Sequence, residues 1–267
     1  MYCIADFVLH LFVTVDDALA QNRNKDPRAH LWPSEIVTLG ILYAIKGRSQ
    51  TAFWRWAKAN LTDFFPRLPD RTRLFRLLTK YQALADAFMA TDAPLGFTDS
   101  FGIELIHPRR EGRSKRQIGK KVKSNHRWIV GIKYAALVNA RGRICDWDAE
   151  GANTYDGDFQ RQWRYWEGIC SPLYADSGFH RGTKRGGDLA FLVICKRGEN
   201  NLRMLIESLF SVLVTVLHLK KVSNRTWPSL EARLTFVSAA YNLLLLWSEE
   251  LSFQARRHVG IAEIACI

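Results

Sequence analysis

Three carboxylates stand where the sequence would let them do chemistry. Asp99 falls at the end of the run LGFTDS, Asp176 closes PLYADSG, and Glu207 stands in the stretch NNLRMLIESLFSVLVTVLHL, residues 200–219. The apolar residues of that stretch, Leu202, Leu205, Ile206, Leu209, Phe210, Leu213, Val216 and Leu217, recur near the helical period. A helix of this kind is expected deep in a core, where an unpartnered carboxylate is costly. Clustered carboxylates repel one another and take up protons unless a cation intervenes. Hard oxygen donors with open water positions suit Mg2+ or Mn2+. Two such ions can activate a nucleophile and stabilise the leaving oxygen in phosphoryl transfer. Plainer readings compete: an Asp at a strand end is commonly a turn residue, and Glu207 could pair with Arg203 one helical turn earlier. Asp146, Asp148, Asp156 and Asp158 are rival carboxylates, the first two on one face of an expected strand.

The elements that must position these acids alternate in type. The first ninety residues read as helical: SEIVTLGILYAI starts at Ser34 and stops at Gly47, SQTAFWRWAKAN follows after a short turn, and DRTRLFRLLTKY begins at Asp70. Helix, short turn, helix is compatible with a helix-turn-helix and with any small bundle. From Pro94 onward short alternating runs appear. LGFTDSFGIELI is one strand, and HRWIVGIKYAALVNARGRICDWDAE reads as two strands joined at NARGR. DGDFQRQWRYWEG is helix-like, ICSPLYADSG holds a strand ending at Asp176, and DLAFLVICKRG another. The Glu207 helix follows, then WPSLEARLTFVSAAYNLLLLW with Pro228 in its first turn. This order implies an α/β domain with a mixed sheet.

The charge is uneven. Of 267 residues, 38 are Lys or Arg and 26 are Asp or Glu, a net charge of +12, which favours a polyanion as partner. Between Arg109 and Arg127 the basic residues Arg109, Arg110, Arg113, Lys115, Arg116, Lys120, Lys121, Lys123 and Arg127 stand against Glu111 alone. The glycines Gly112 and Gly119 suggest a loop, and the segment reads as a clamp on a phosphate backbone. The five cysteines are scattered and form no CxxC pair, which argues for reduced thiols and against a zinc ribbon. The apolar N-terminus is broken by Asp6 and His10, and LTFVSAAYNLLLLW is too short to span a bilayer. The expectation is a soluble, intracellular protein without a membrane partner.

FTDS with the basic segment and GIKYAALVNARGRI after it, then ANTYD, then YADSGFH, then NNLRMLIESLFSVL together resemble the core of a DDE-type insertion-sequence transposase over roughly residues 34–247. Relatives often carry a Tyr and a Lys where this chain has Asn200 and Val214. The resemblance implies a ribonuclease H-like mixed sheet flanked by helices, preceded by a small helical DNA-binding region. That sets boundaries at 1–90, 91–250 for the catalytic domain, and 251–267 for a tail. It places the catalytic and metal-binding triad on Asp99, Asp176 and Glu207, with two Mg2+ or Mn2+ ions, and gives Arg203 a place in the DNA-binding set. The implied activity is cleavage of double-stranded DNA at insertion-sequence ends and strand transfer into target DNA, in the cytoplasm at the nucleoid, with a homodimer allowed. The alternatives are a nuclease of the same fold without strand transfer and an inactive DNA-binding derivative.

Overall fold

The computed structural model describes residues 3–22, 24–124, 127–182, 186–196 and 204–266. The helices along the chain are α1 (Ile4–Ala18), α2 (Pro33–Lys46), α3 (Gln50–Asn60), α4 (Arg71–Tyr81), α5 (Gln160–Trp163), α6 (Met204–Thr215), α7 (Trp227–Ala255) and α8 (Ile261–Ala265). The strands are β1 (Gly96–Ile106), β2 (Lys120–Ser124), β3 (Arg127–Asn139), β4 (Ile144–Gly151), β5 (Leu173–Ala175) and β6 (Leu192–Ile194). They form two compact units. One comprises Met1–Phe88, Val216–His218 and Trp227–Ile267, the other Met89–Thr215 and Leu219–Thr226.

The first unit is helical, and local chemistry sets its ends. Pro33 opens α2, so Ser34, expected at the helix start, lies inside the first turn and does not cap it; Gly47 closes the helix at φ 59°, a left-handed conformation that costs glycine little. The Ser49 hydroxyl accepts from Ala52 N–H at the start of α3, and Asp70 accepts from Arg73 N–H at the start of α4. Arg73, Arg76 and Lys80 stand exposed on the face of α4 opposite buried Leu74 and Leu78. The long α7 packs against α2 and α4. A Cβ on Gly40 of α2 would come within 2.4 Å of the Phe236 ring, so the two helices meet at a position only glycine fits. The two compact units do not follow the boundaries expected at 90 and 250. Residues from Trp227 onward join residues 1–88, because the middle of α7, from Ala232 to Leu244, is buried on every side. The same helix runs on to Ala255, into the stretch read from sequence as a separate tail.

The second unit is a six-stranded mixed sheet in the order β2-β3-β1-β5-β6, with β4 also paired to β3. β3 is antiparallel to β1, β2 and β4, while β5 is parallel to both β1 and β6. β2 and β4 share one edge of β3, β2 along residues 127–131 and β4 along residues 132–138. One sheet face carries Ala135, Leu137, Leu173 and Ala175 into a core with Phe159 and Trp163. On the other face Phe101 meets Phe210 of α6, ring centroids 4.7 Å apart. The NARGR turn between β3 and β4 and the strand before Asp176 lie where the sequence puts them. DGDFQRQWRYWEG is not one helix but a chain of short turns around α5.

Candidate functional site

β1 runs eleven residues, so Asp99 lies inside the strand and not at its end. Gly102 does not stop it, because the β3 ladder holds the backbone through Gly102↔Lys133. Asp99 is half-buried, and its Oδ1 accepts from Ser100 N–H. The parallel register Gly96↔Leu173 and Phe97↔Tyr174, carried two residues further, sets Asp99 level with Asp176, the residue just past the neighbouring strand. Asp176 follows β5 directly, and its Oδ1 accepts from Gly178 N–H at 2.8 Å.

Gly178 brings a fourth acid into view. A Cβ there would lie 3.0 Å from Asp176 Oδ1 and 3.3 Å from Asp156 Oδ2, so both carboxylates close on the same point. Asp156 Oδ1 also accepts from the Ser100 hydroxyl and stands 3.0 Å from Lys133 Nζ. Lys133 in turn donates to the Thr154 carbonyl at 2.8 Å. Ser100, Lys133 and Asp156 line a cleft of about 580 Å³ together with Glu207, Ser211 and Lys220. Its four charged residues, Lys133, Lys220, Asp156 and Glu207, balance in sign.

Glu207 is not in the core. It is exposed on α6, which buries only Ile206, Leu209 and Leu213 and leaves Met204 and Leu205 largely in solvent. An apolar helix lying on a sheet has one covered face, and Glu207 projects from another. Ser211, one turn further along the helix, is likewise exposed, and Asn200 and Arg203 lie outside the described residues. The structure thus sets Asp99 beside Asp176 by register and places Glu207 in a cleft with Ser100 and Asp156. Among the described residues, no group of three or more His, Cys, Asp or Glu side chains meets as a ready metal cluster.

The rival acids separate on their partners. Asp146 accepts from Gln162 Nε2 and from Trp166 Nε1 at 3.0 Å. Burial raises its carboxyl above the ordinary range against the pull of the Trp166 and Gln162 hydrogen bonds, as in a packed structural acid. Asp148 accepts from Ala149 N–H. Asp158 contributes a carbonyl to Arg161 Nε at 3.1 Å. Lys133 was not singled out from sequence; a lone lysine in the apolar run GIKYAAL was the available signal.

The basic segment is only partly a loop. Arg109, Arg110, Arg113, Lys115 and Arg116 are exposed in the connection after β1, but Lys120, Lys121 and Lys123 lie on β2, and Arg127 opens β3. The strand KKVKS was hidden from sequence reading because Val122 is its one apolar residue. Its order comes from the ladder to β3. Glu104, buried on β1, holds Arg127 at 3.3 Å and Lys221 at 3.0 Å.

No family model, no curated protein and no solved structure matches the chain. Among the described residues no helix is long and apolar enough to cross a membrane.

Proposed function

We propose that this protein is a DDE-type transposase with a ribonuclease H-like core, cutting double-stranded DNA and joining the freed 3′ hydroxyl to a target strand. One observation carries the reading. The sheet runs β4-β3-β1-β5-β6, antiparallel through β4, β3 and β1 and parallel from β1 to β6, with Asp99 on the central strand level with Asp176 after β5. Active sites of open α/β sheets form outside the carboxyl ends of parallel strands, where Asp176 stands. Glu207 enters the adjoining cleft from the next helix.

The donor set suits Mg2+ or Mn2+. It offers hard carboxylate oxygens: Asp99 on β1, Asp176 directly after the neighbouring β5, and Glu207 in an open cleft that admits water. Asp99, Asp176 and Glu207 would hold the ions, which when bound supply Lewis-acid stabilisation of the attacking and leaving oxygens. Lys220 adds positive charge to the cleft wall for a phosphodiester, beside the Lys133–Asp156 pair. The residues from Arg109 to Arg127 grip the backbone without reading bases.

The test uses duplexes spanning the DNA on either side of the coding sequence, with Mg2+ or Mn2+. Nicking followed by joining is expected, and Asp99→Asn should abolish both while DNA binding persists or strengthens. Nicking without joining would make the protein a nuclease. Binding with neither would make it a DNA-binding protein without chemistry.

A further inference from the structure

The β2–β3 hairpin exposes an aromatic ring among cations. Cross-strand register sets Lys121 opposite Val130, Val122 opposite Ile129 and Lys123 opposite Trp128. Side chains alternate along a strand, so Lys121, Lys123, Trp128 and Val130 share one face. Val130 on that face is fully buried, whereas Trp128, two residues toward the tip, is 56% exposed. The face therefore leaves the core between these two residues. Lys121 Nζ lies 5.5 Å from the Trp128 ring centroid and is held by Glu111 Oε2 at 2.9 Å. On the opposite face Ile129 is buried, which anchors the hairpin.

A single exposed tryptophan needs no explanation in itself. This one is bracketed by two lysines on a paired, hence ordered, strand. Its cross-strand partner is Lys123, where a β-branched or aromatic residue would pack better. A flat π surface flanked by ammonium groups is complementary to a nucleobase flanked by phosphates. In a duplex the base faces are already stacked on each other, so the ring is useful only to an unpaired base.

We propose that this hairpin is a stacking platform for single-stranded nucleic acid, with Trp128 taking an unpaired base and Lys121 and Lys123 the adjacent phosphates. The proposal deepens the nucleic-acid part of the reading above and does not depend on the catalytic part.

The experiment measures affinity by fluorescence anisotropy for a labelled oligothymidylate single strand and a labelled duplex of equal length. Trp128→Ala should weaken single-strand binding about tenfold, the weight of one stacked base, and change duplex binding less than about twofold. Trp128→Phe should keep most of the single-strand affinity, which a loss of folding would not allow. Lys121→Ala with Lys123→Ala should lower the single-strand salt slope by about 0.7 per residue. Unchanged single-strand binding by Trp128→Ala overturns the proposal, as does equal loss on both probes. So does a Trp128 requirement for binding anionic vesicles, or for self-association, with none for the oligonucleotide. A wild-type protein that cuts and joins duplex but ignores the single strand sinks the platform alone. One that stacks through Trp128 but neither cuts nor joins sinks the transposase reading alone.

Discussion

Removing the Lys133–Asp156 pair tests whether the cleft wall is a coupled unit. Lys133 Nζ and Asp156 Oδ1 are 3.0 Å apart, with side chains 20% and 27% exposed. At an effective dielectric of about 20, two unit charges at that distance attract by about 5.5 kcal/mol, but desolvation cancels much of this. Exposed pairs are worth about 0–1 kcal/mol, and removing one member of a buried pair costs about 3–5. This pair lies between those limits. Asp156 also accepts from the Ser100 hydroxyl, which its removal would strand. Asp156→Ala should therefore cost about 2 kcal/mol, with a coupling to Lys133→Met of about 1 to 1.5 kcal/mol in a double-mutant cycle. β1 and β3 lie in one of the two compact units, so a peptide-resolved readout follows that unit by itself. Hydrogen exchange of β1 and β3 peptides, followed by mass spectrometry, reads the sheet directly. Costs that add within about 0.3–0.5 kcal/mol would mean the pair is not coupled, and the picture of Asp156 and Lys133 holding the cleft wall together would fall.

Glu207→Gln should change stability by less than about 0.5 kcal/mol, since the side chain is exposed, while metal-dependent nicking collapses; denaturant melts without metal beside a nicking assay check both. Neutralising Lys115, Arg116, Lys120 and Lys121 together should weaken binding to every duplex and shrink the salt slope by about 0.9 per lost contact, ~3 to 4 in all; an unchanged slope would leave the segment without a role on the backbone. Asp188 accepts from Arg181 N–H and Gln160 and meets His180 Nδ1 at 2.5 Å. Burial pushes its carboxyl up, but these hydrogen bonds together outweigh it and hold the net value below the ordinary 3.8. Its folded value is depressed, so the stability it contributes is present above about pH 4 and lost as pH falls through the folded value. Asp188→Asn should flatten that acid limb in a pH series of melts, and an unaltered limb would refute the linkage.

Much of the fold is local and can be read in one dimension. Ser49 and Asp70 cap helices because a short oxygen side chain reaches the free N–H groups of the next turn. NARGR turns β3 into β4 because its residues suit a tight reversal. Asp176 follows a strand because LYA is apolar and the Asp side chain caps the turn after it. The candidate carboxylates were legible as residue types, and Asp156 stood among the rivals.

What the tertiary structure decided is where partners come from elsewhere in the chain. KKVKS is a strand only because β3 lies beside it, and no apolar alternation announces that pairing. Glu207 looked buried because periodicity reports that a helix has an apolar face, not how much of it a sheet will cover. The 227–255 helix belongs with residues 1–88 because its middle, buried on every side from Ala232 to Leu244, must be met by other helices, which sequence order does not name. Asp99 and Asp176 are 77 residues apart in the chain, and only the parallel pairing of β1 with β5 sets them level. Lys133 and Asp156 were invisible as a pair for the same reason. An ion pair is a distance in space, and the sequence carries the charges without the path that brings them together.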